Sequence, residues 1–202
     1  MVHLPLLLVI NANENIQDTS SSKTFLYISS PSSYAVPQGG KFRIYGGGFT
    51  SSSNTIHIGD TSYDGIIPSK GALELAVPVG QAKGKFALSF SNSKGKSNTT
   101  FIVITEPNAI APKVTTFTPT SGMAGTMITV TGENFSKEWN DIEVGSKPIT
   151  GIISQDGKTL SFTATLPLTN MKPTINNKSF PLWFYIINPN GVSGPSVFTL
   201  KI

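Results

Sequence analysis

Apolar residues in this chain fall mostly into short alternating runs. Phe42 and Ile44 alternate with Lys41, Arg43 and Tyr45, and Ile128 and Val130 sit beside Thr129 and Thr131. A period of two puts successive side chains on opposite faces, so each run predicts a strand with one buried and one solvated face. No stretch longer than a turn or two shows the i, i+3, i+4 spacing of a helix. The Asn-x-x-Gly segments at Asn92–Gly95 and Asn188–Gly191 predict hairpin turns, each ahead of a closing strand at Thr100–Ile104 and Ser196–Ile202. Roughly seven short strands at regular spacing in about ninety residues predict an antiparallel sandwich.

The pattern occurs twice. GGKFRIYGGGFTSSSNTIHIGD, from Gly39, is answered by GTMITVTGENFSKEWNDIEVGS, from Gly125, at a constant offset of 86. Gly46 then matches Gly132, Phe49 matches Phe135, Asn54 matches Asn140, Ile56 matches Ile142, Ile58 matches Val144 and Gly59 matches Gly145. Further on, Ala72–Pro78 answers Ser161–Pro167, Phe86–Gly95 answers Leu182–Gly191, and Ser97 answers Ser193. A repeat of this period makes each copy one structural unit. Within it, Gly46 and Gly132 are expected to end a strand where a side chain would block the turn. Phe49 and Phe135 are expected to drop back as core plugs.

One copy carries Pro119, Gly125, Ile128, Val130, Gly132, Phe135, Asn140, Ile142, Val144, Gly145, Pro167, Asn188, Gly191 and Ser193. The other carries Pro31, Gly39, Gly46, Phe49, Asn54, Ile56, Ile58, Gly59, Pro78, Asn92, Gly95 and Ser97. This arrangement resembles the IPT/TIG immunoglobulin-like family, over roughly residues 26 to 202. The resemblance implies an all-β chain of two tandem immunoglobulin-like antiparallel β-sandwiches with a short N-terminal extension. The expected units are an extension over 1–23, a first sandwich over 24–106, a proline-containing linker over 107–112 and a second sandwich over 113–202. The motif residues are turn and core positions, so the resemblance brings no catalytic residues. In the family such modules occur in cell-surface receptors, microbial surface proteins, accessory parts of carbohydrate-active enzymes and Rel-type transcription factors. Pro107 and Pro112 are expected to restrict the angle between the two sandwiches.

The first ten residues, MVHLPLLLVI, are too short an apolar run to span a bilayer as a helix. Three readings are open. The run is a secretion signal lacking its basic start, with Ala12 at the cut. Or Leu4, Leu6, Leu8 and Ile10 form a strand donated to a neighbouring subunit. Or it is an ordinary edge strand tolerating Pro5. The polar stretch Asn11–Lys23 reads as a tether.

Composition narrows the function by exclusion. Cysteine is absent, which removes thiolate metal sites and thiol nucleophiles. The net charge of +4 rests on lysine, with Arg43 the sole arginine, and there is no basic run, so nucleic acid is not an expected partner. Of the two histidines, His3 lies in the leader, while His57 alternates with Ile56 and Ile58 and so faces solvent. No Gly-x-Ser-x-Gly elbow is present. Gly46–Gly48 precedes a phenylalanine plug and not a helix, so it reads as a turn and not a phosphate loop. Glu133, Glu138, Asp141 and Glu143 gather in the second copy, but without Asp-x-Asp spacing and beside Lys137, so a solvated turn takes precedence over a calcium site. Sequons stand at Asn98, Asn134 and Asn177, about as many as this Asn-, Ser- and Thr-rich composition yields by chance. No catalytic, cofactor-binding or metal residue is nominated.

One strand separates the copies. In the first, Phe86, Leu88 and Phe90 alternate with Ala87, Ser89 and Ser91; in the second, Leu182, Phe184 and Ile186 alternate with Trp183, Tyr185 and Ile187. A strand apolar on both sides is covered on both. The cover is either local, from a loop over Asn170–Ser179 or from the first sandwich, or it is a partner. Trp183, Tyr185, Ile187 and Trp139 are therefore the candidate contact residues for a protein or glycan. The expected function is a non-catalytic extracellular or surface module: a spacer, adhesin segment or filament subunit. A protein partner or self-assembly is preferred to a glycan. A carbohydrate-binding module is the alternative, and a Rel-like DNA-binding module is disfavoured by the single arginine.

Overall fold

The computed structural model describes residues 25–144, 148–164 and 179–201. The segment holding Leu4, Leu6, Leu8 and Ile10, and nearly all of the Asn170–Ser179 loop, lie outside these residues. The described residues contain strands and turns and no helix.

The first half holds β1 (Tyr27–Pro31), β2 (Ala35–Pro37), β3 (Lys41–Gly47), β4 (Asn54–Ile58), β5 (Thr61–Ile66), β6 (Ala72–Ala76), β7 (Gly84–Asn92), β8 (Gly95–Lys96) and β9 (Thr100–Thr105). The second holds β10 (Lys113–Thr118), β11 (Ser121–Met123), β12 (Met127–Glu133), β13 (Asn140–Val144), β14 (Ile149–Ile152), β15 (Thr159–Thr163), β16 (Ser179–Asn188), β17 (Gly191–Val192) and β18 (Ser196–Lys201). Sheets do not cross between the halves. β1-β3-β6 packs under β2-β9-β7-β4-β5, with β8 beside β7; β10-β12-β15 packs under β11-β18-β16-β13-β14, with β17 beside β16. Each strand of the second half thus repeats the strand nine places earlier. The pairing is antiparallel throughout except where β2 runs parallel to β9 and β11 parallel to β18.

Each half closes on its own core. Phe42, Ile44, Ile56, Leu88, Phe90 and Ile102 are buried in the first; Ile128, Val130, Ile142, Phe184, Phe198 and Leu200 in the second. The inward positions are those the alternation picked out. Phe135 is buried, and Phe49 lies half-buried with its ring 4.9 Å from Phe90. Their hydrophobic transfer is the main stabilising contribution of the fold.

The expectation for Gly46 and Gly132 is corrected. Neither ends its strand; both lie within it, opposite a register shift in the neighbouring strand, between Ile28 and Ser30 on β1 and between Val114 and Thr116 on β10. A Cβ on Gly46 would stand 1.9 Å from the Tyr27 carbonyl oxygen, and one on Gly132 2.0 Å from that of Lys113. Close approach of a bulged backbone, and not a turn, excludes a side chain there.

The repeated polar residues are also explained. Asn140 is fully buried: its Oδ1 accepts from the Ser136 N–H at 2.8 Å, and its Nδ2 donates to the Ser136 and Ile152 carbonyls at 2.7 and 3.0 Å. Asn188 Nδ2 donates to Asn140 Oδ1 and to the Asn134 carbonyl. Asn54 and Asn92 make the same bonds in the first half, to the Thr50, Ile66 and Gly48 backbone. Ser97 and Ser193 each accept from a buried N–H of the long strand, Phe90 and Ile186 respectively. These side chains satisfy backbone groups where the ladders stop, which burial would otherwise leave unpaired.

Candidate functional site

The halves meet through outward faces of their larger sheets. On the first, Lys85 stands opposite Val103 and Ala87 opposite Phe101. On the second, Asp141 stands opposite Ile187 and Glu143 opposite Tyr185. Directly opposed residues share a face, and this face is the one turned away from each core. Val103 and Ile187 are nonetheless both at 0% exposure, though neither belongs to a core. They are covered at the junction, where β17 packs against β2 and β9. A Cβ on Gly191 would lie 3.4 Å from both Ala35 and Ala111, so the tip of the β16–β17 hairpin is seated between the first sandwich and the linker.

Charge pins the same junction. Lys85 Nζ donates to Asp141 Oδ2 at 3.1 Å and lies 3.6 Å from Glu143 Oε2 and 5.0 Å from the Phe101 ring centroid. The three charged side chains are only 12 to 29% exposed. Asp141 Oδ1 also accepts from the Gly151 N–H at 3.2 Å. Two grooves flank this clamp. One, of about 470 Å³, is lined by Tyr34, Phe101, Glu143, Tyr185, Val192 and Ser193 among others. The other, of about 500 Å³, is lined by Gly84, Lys85, Trp139, Asp141, Thr150 and Gly151.

Beyond the junction the outer face of the second sandwich is open. Trp183 is 51% exposed and stands opposite Val197, itself 37% exposed; Tyr185 is 36% exposed. These three make an exposed apolar strip that runs into the covered Ile187. The four sequence candidates therefore separate. Trp183 and Tyr185 share the strip, Trp139 lies half-buried in the second groove, and Ile187 is fully buried. Along this face burial is complete at Ile187 and falls away towards Trp183. Sequence reasoning passed over Tyr34, Lys85 and Phe101, which no motif marks. The available signal was weak: Phe101 and Val103 on the outward side of β9, a side polar on β7.

Chemically the described residues of the site offer π faces, hydroxyls and ion pairs. His57 Nδ1 and Nε2 lie 2.9 and 2.8 Å from the Ser62 and Ser91 hydroxyls, with no acid in line. Among the described residues no three His, Asp or Glu side chains converge as a metal site, so Glu133, Glu138, Asp141 and Glu143 are not brought together as one. No helix among them is long and apolar enough to cross a membrane. The strongest acidic perturbation is at Asp156, whose carboxylate accepts from the Lys158 and Thr159 N–H groups and from the Thr159 hydroxyl and is held well below the usual carboxylate range. It braces the turn before β15.

A family model for the IPT/TIG domain matches residues 112–199. It covers every strand of the second sandwich, from β10 through most of β18. Residues 112–199 are an IPT/TIG domain. A search of the curated proteins finds no match. Among solved structures the chain is similar to SGBP-B from a complex xyloglucan utilization locus in Bacteroides uniformis, at 16% identity over 87% of this chain and 49% of that one, with a TM-score of 0.35. It is similar to SGBP-B of the Bacteroides ovatus mixed-linkage glucan utilization locus in complex with a mixed-linkage heptasaccharide, at 14% identity over 84% and 43%, TM-score 0.31. A third likeness is to the full extracellular region of plexin A4, at 13% identity over 95% and 20%, TM-score 0.35. The chain thus spans about half the length of the first of these and less of the others. Trp183 and Tyr185 lie within the matched residues.

Proposed function

We propose that this chain is a non-catalytic binding and spacing module that works outside the cell, with the IPT/TIG domain presenting Trp183, Tyr185 and Val197 to a protein partner or a further subunit. The first sandwich is, in this reading, a second IPT/TIG unit, because it repeats the strand order and the Asn–Asn–Ser bonds of its neighbour. The carrying observation is the exposed indole at mid-strand. A tryptophan on the open face of a sheet removes apolar surface from water only when something docks there, and Trp and Tyr are favoured anchors of such contacts. Spacing is supported by the seated hairpin and the Lys85 clamp, which oppose free swivelling.

The test is the double variant Trp183→Ser, Tyr185→Ser. Its melting temperature should stay within a few degrees of the parent, while light scattering shows loss of self-association or a pull-down shows loss of the partner. Unfolding of the variant would make these residues core and defeat the reading. A carbohydrate partner is the second reading, favoured by the same half-exposed ring, since sugar faces stack on indole. Glycan binding abolished by Trp183→Ser would select it over a protein partner.

A further inference from the structure

The groove between the sandwiches combines three features that the contact strip does not use. Its walls are aromatic and come from both halves: Tyr34 and Phe101, with ring centroids 4.9 Å apart and tilted by 32°, line it together with Tyr185. Its size, about 470 Å³, is that of small-molecule sites. Among the described residues lining it, Glu143 is the sole charged one.

The local charge is unbalanced. One ammonium, Lys85, serves two carboxylates and sits nearer Asp141, at 3.1 Å, than Glu143, at 3.6 Å. Asp141 is satisfied further by the Gly151 N–H. Glu143 lines the groove, beside rings whose faces are electronegative. The molecule already shows what such a wall does, because Lys85 itself stands 5.0 Å over Phe101.

We infer that this groove binds an organic cation, a weakly hydrated quaternary ammonium or guanidinium group, held between the rings of Tyr34, Phe101 and Tyr185 with Glu143 as its counter-charge. A hard metal ion favours several charged oxygens, and Glu143 is the sole carboxylate among the described residues lining this groove. An anion meets the surplus carboxylate. A neutral sugar would stack on the rings but gain nothing from the charge of Glu143. Organic cations gain from both terms, and cation–π contact strengthens as the cation leaves water.

The inference shares Tyr185 with the contact strip but is independent of Trp183, so the two fail separately. The experiment is an NMR titration of the intact chain with choline, with N-acetyl-arginine amide, and with 3,3-dimethylbutan-1-ol, the uncharged isostere of choline. Expected are shifts confined to Tyr34, Phe101, Tyr185 and their neighbours, and at least fivefold weaker binding of the neutral alcohol. The relative affinity of the two cations tells a choline-like headgroup from an arginine-bearing chain. Glu143→Gln should weaken cation binding about fivefold and leave the alcohol unchanged. Trp183→Ser should change neither. Equal binding of alcohol and choline, shifts elsewhere, or an unaffected Glu143→Gln titration would overturn the inference. A Glu143→Asp variant keeps the charge and should retain binding, which separates loss of charge from disturbance of the junction.

Discussion

The long strand of each sandwich, β7 in one and β16 in the other, occupies the same place in the same topology and reads the same on its inner side. Leu88 and Phe90 in the first answer Phe184 and Ile186 in the second, all fully buried. On the outer side the two part company. Ala87, Ser89 and Ser91 stand where the IPT/TIG domain has Trp183, Tyr185 and Ile187. The inner side is fixed by a packing problem both copies share, since interiors are close-packed and feel a single methylene. The outer side is free of that constraint, so what it carries reflects what it meets. Ile187 is fully buried, and Trp183 remains half exposed to solvent.

The comparison breaks most forcefully at the core. Phe184→Ala should cost the second sandwich about 3–5 kcal/mol, because its ring meets those of Phe117 and Phe162, each at 5.2 Å between centroids. Leu88→Ala should cost the first about 2–4 kcal/mol. Calorimetry should show each variant lowering its own half's transition more than the other's. Next come the polar locks. Asn54→Ala and Asn140→Ala should each cost about 1–3 kcal/mol in denaturant titration, since each leaves buried backbone groups unpaired. Equal losses would establish that the locks are interchangeable between copies.

Smaller effects probe the outer faces. Lys85→Ala leaves Asp141 and Glu143 unneutralised and should weaken the junction by about 1 kcal/mol, roughly fivefold in a two-state opening. Faster proteolysis within the linker Pro107–Pro112, with unchanged melting of either half, is the expected readout. Trp183→Ser should change stability by less than about 0.5 kcal/mol. A larger loss would show the strip to be structural and would erase the contrast with Ala87.

The least effect concerns the turns before β6 and β15. The first is bridged by backbone bonds between Ser69 and Ala72, the second by the Asp156 carboxylate. A carboxyl lowered by folding adds stability above its unfolded pKa and loses it as pH falls towards the folded value. The second sandwich should therefore soften below about pH 4, and Asp156→Asn should remove the part of that acid dependence that Asp156 supplies. Acid titration followed by Trp fluorescence reports it, because both tryptophans, Trp139 and Trp183, lie in the second half.

Much of the fold was legible in the sequence because its signals are local. Alternation marked Phe42, Ile44, Ile128 and Val130, and the exact spacing of glycines and asparagines exposed the repeat. Gly46 and Gly132 were noticed but misread, since a bulge in a partner strand is a two-strand property that one strand cannot announce. The site was less legible for the same reason. Trp183 and Tyr185 stood out against an apolar inner face, but whether a neighbour covers them depends on how two domains meet. Ile187, one step beyond Tyr185 on the same face, is fully buried. Lys85 gave no sign, because its partners lie in the other half of the chain and their pairing exists only once both halves have folded.

The parallel pairs β2–β9 and β11–β18 have a mechanical consequence. In each sandwich a strand near the entry of the chain runs alongside the strand at its exit, joined by bonds such as Val103 N–H to the Tyr34 carbonyl and Thr199 N–H to that of Thr120. Tension drawn through a sandwich from entry to exit therefore slides the two strands past each other and loads these bonds together. An antiparallel pair at the same place would unzip one bond at a time. Each module is built to resist stretching along the chain, with its grip at the rim of the larger sheet.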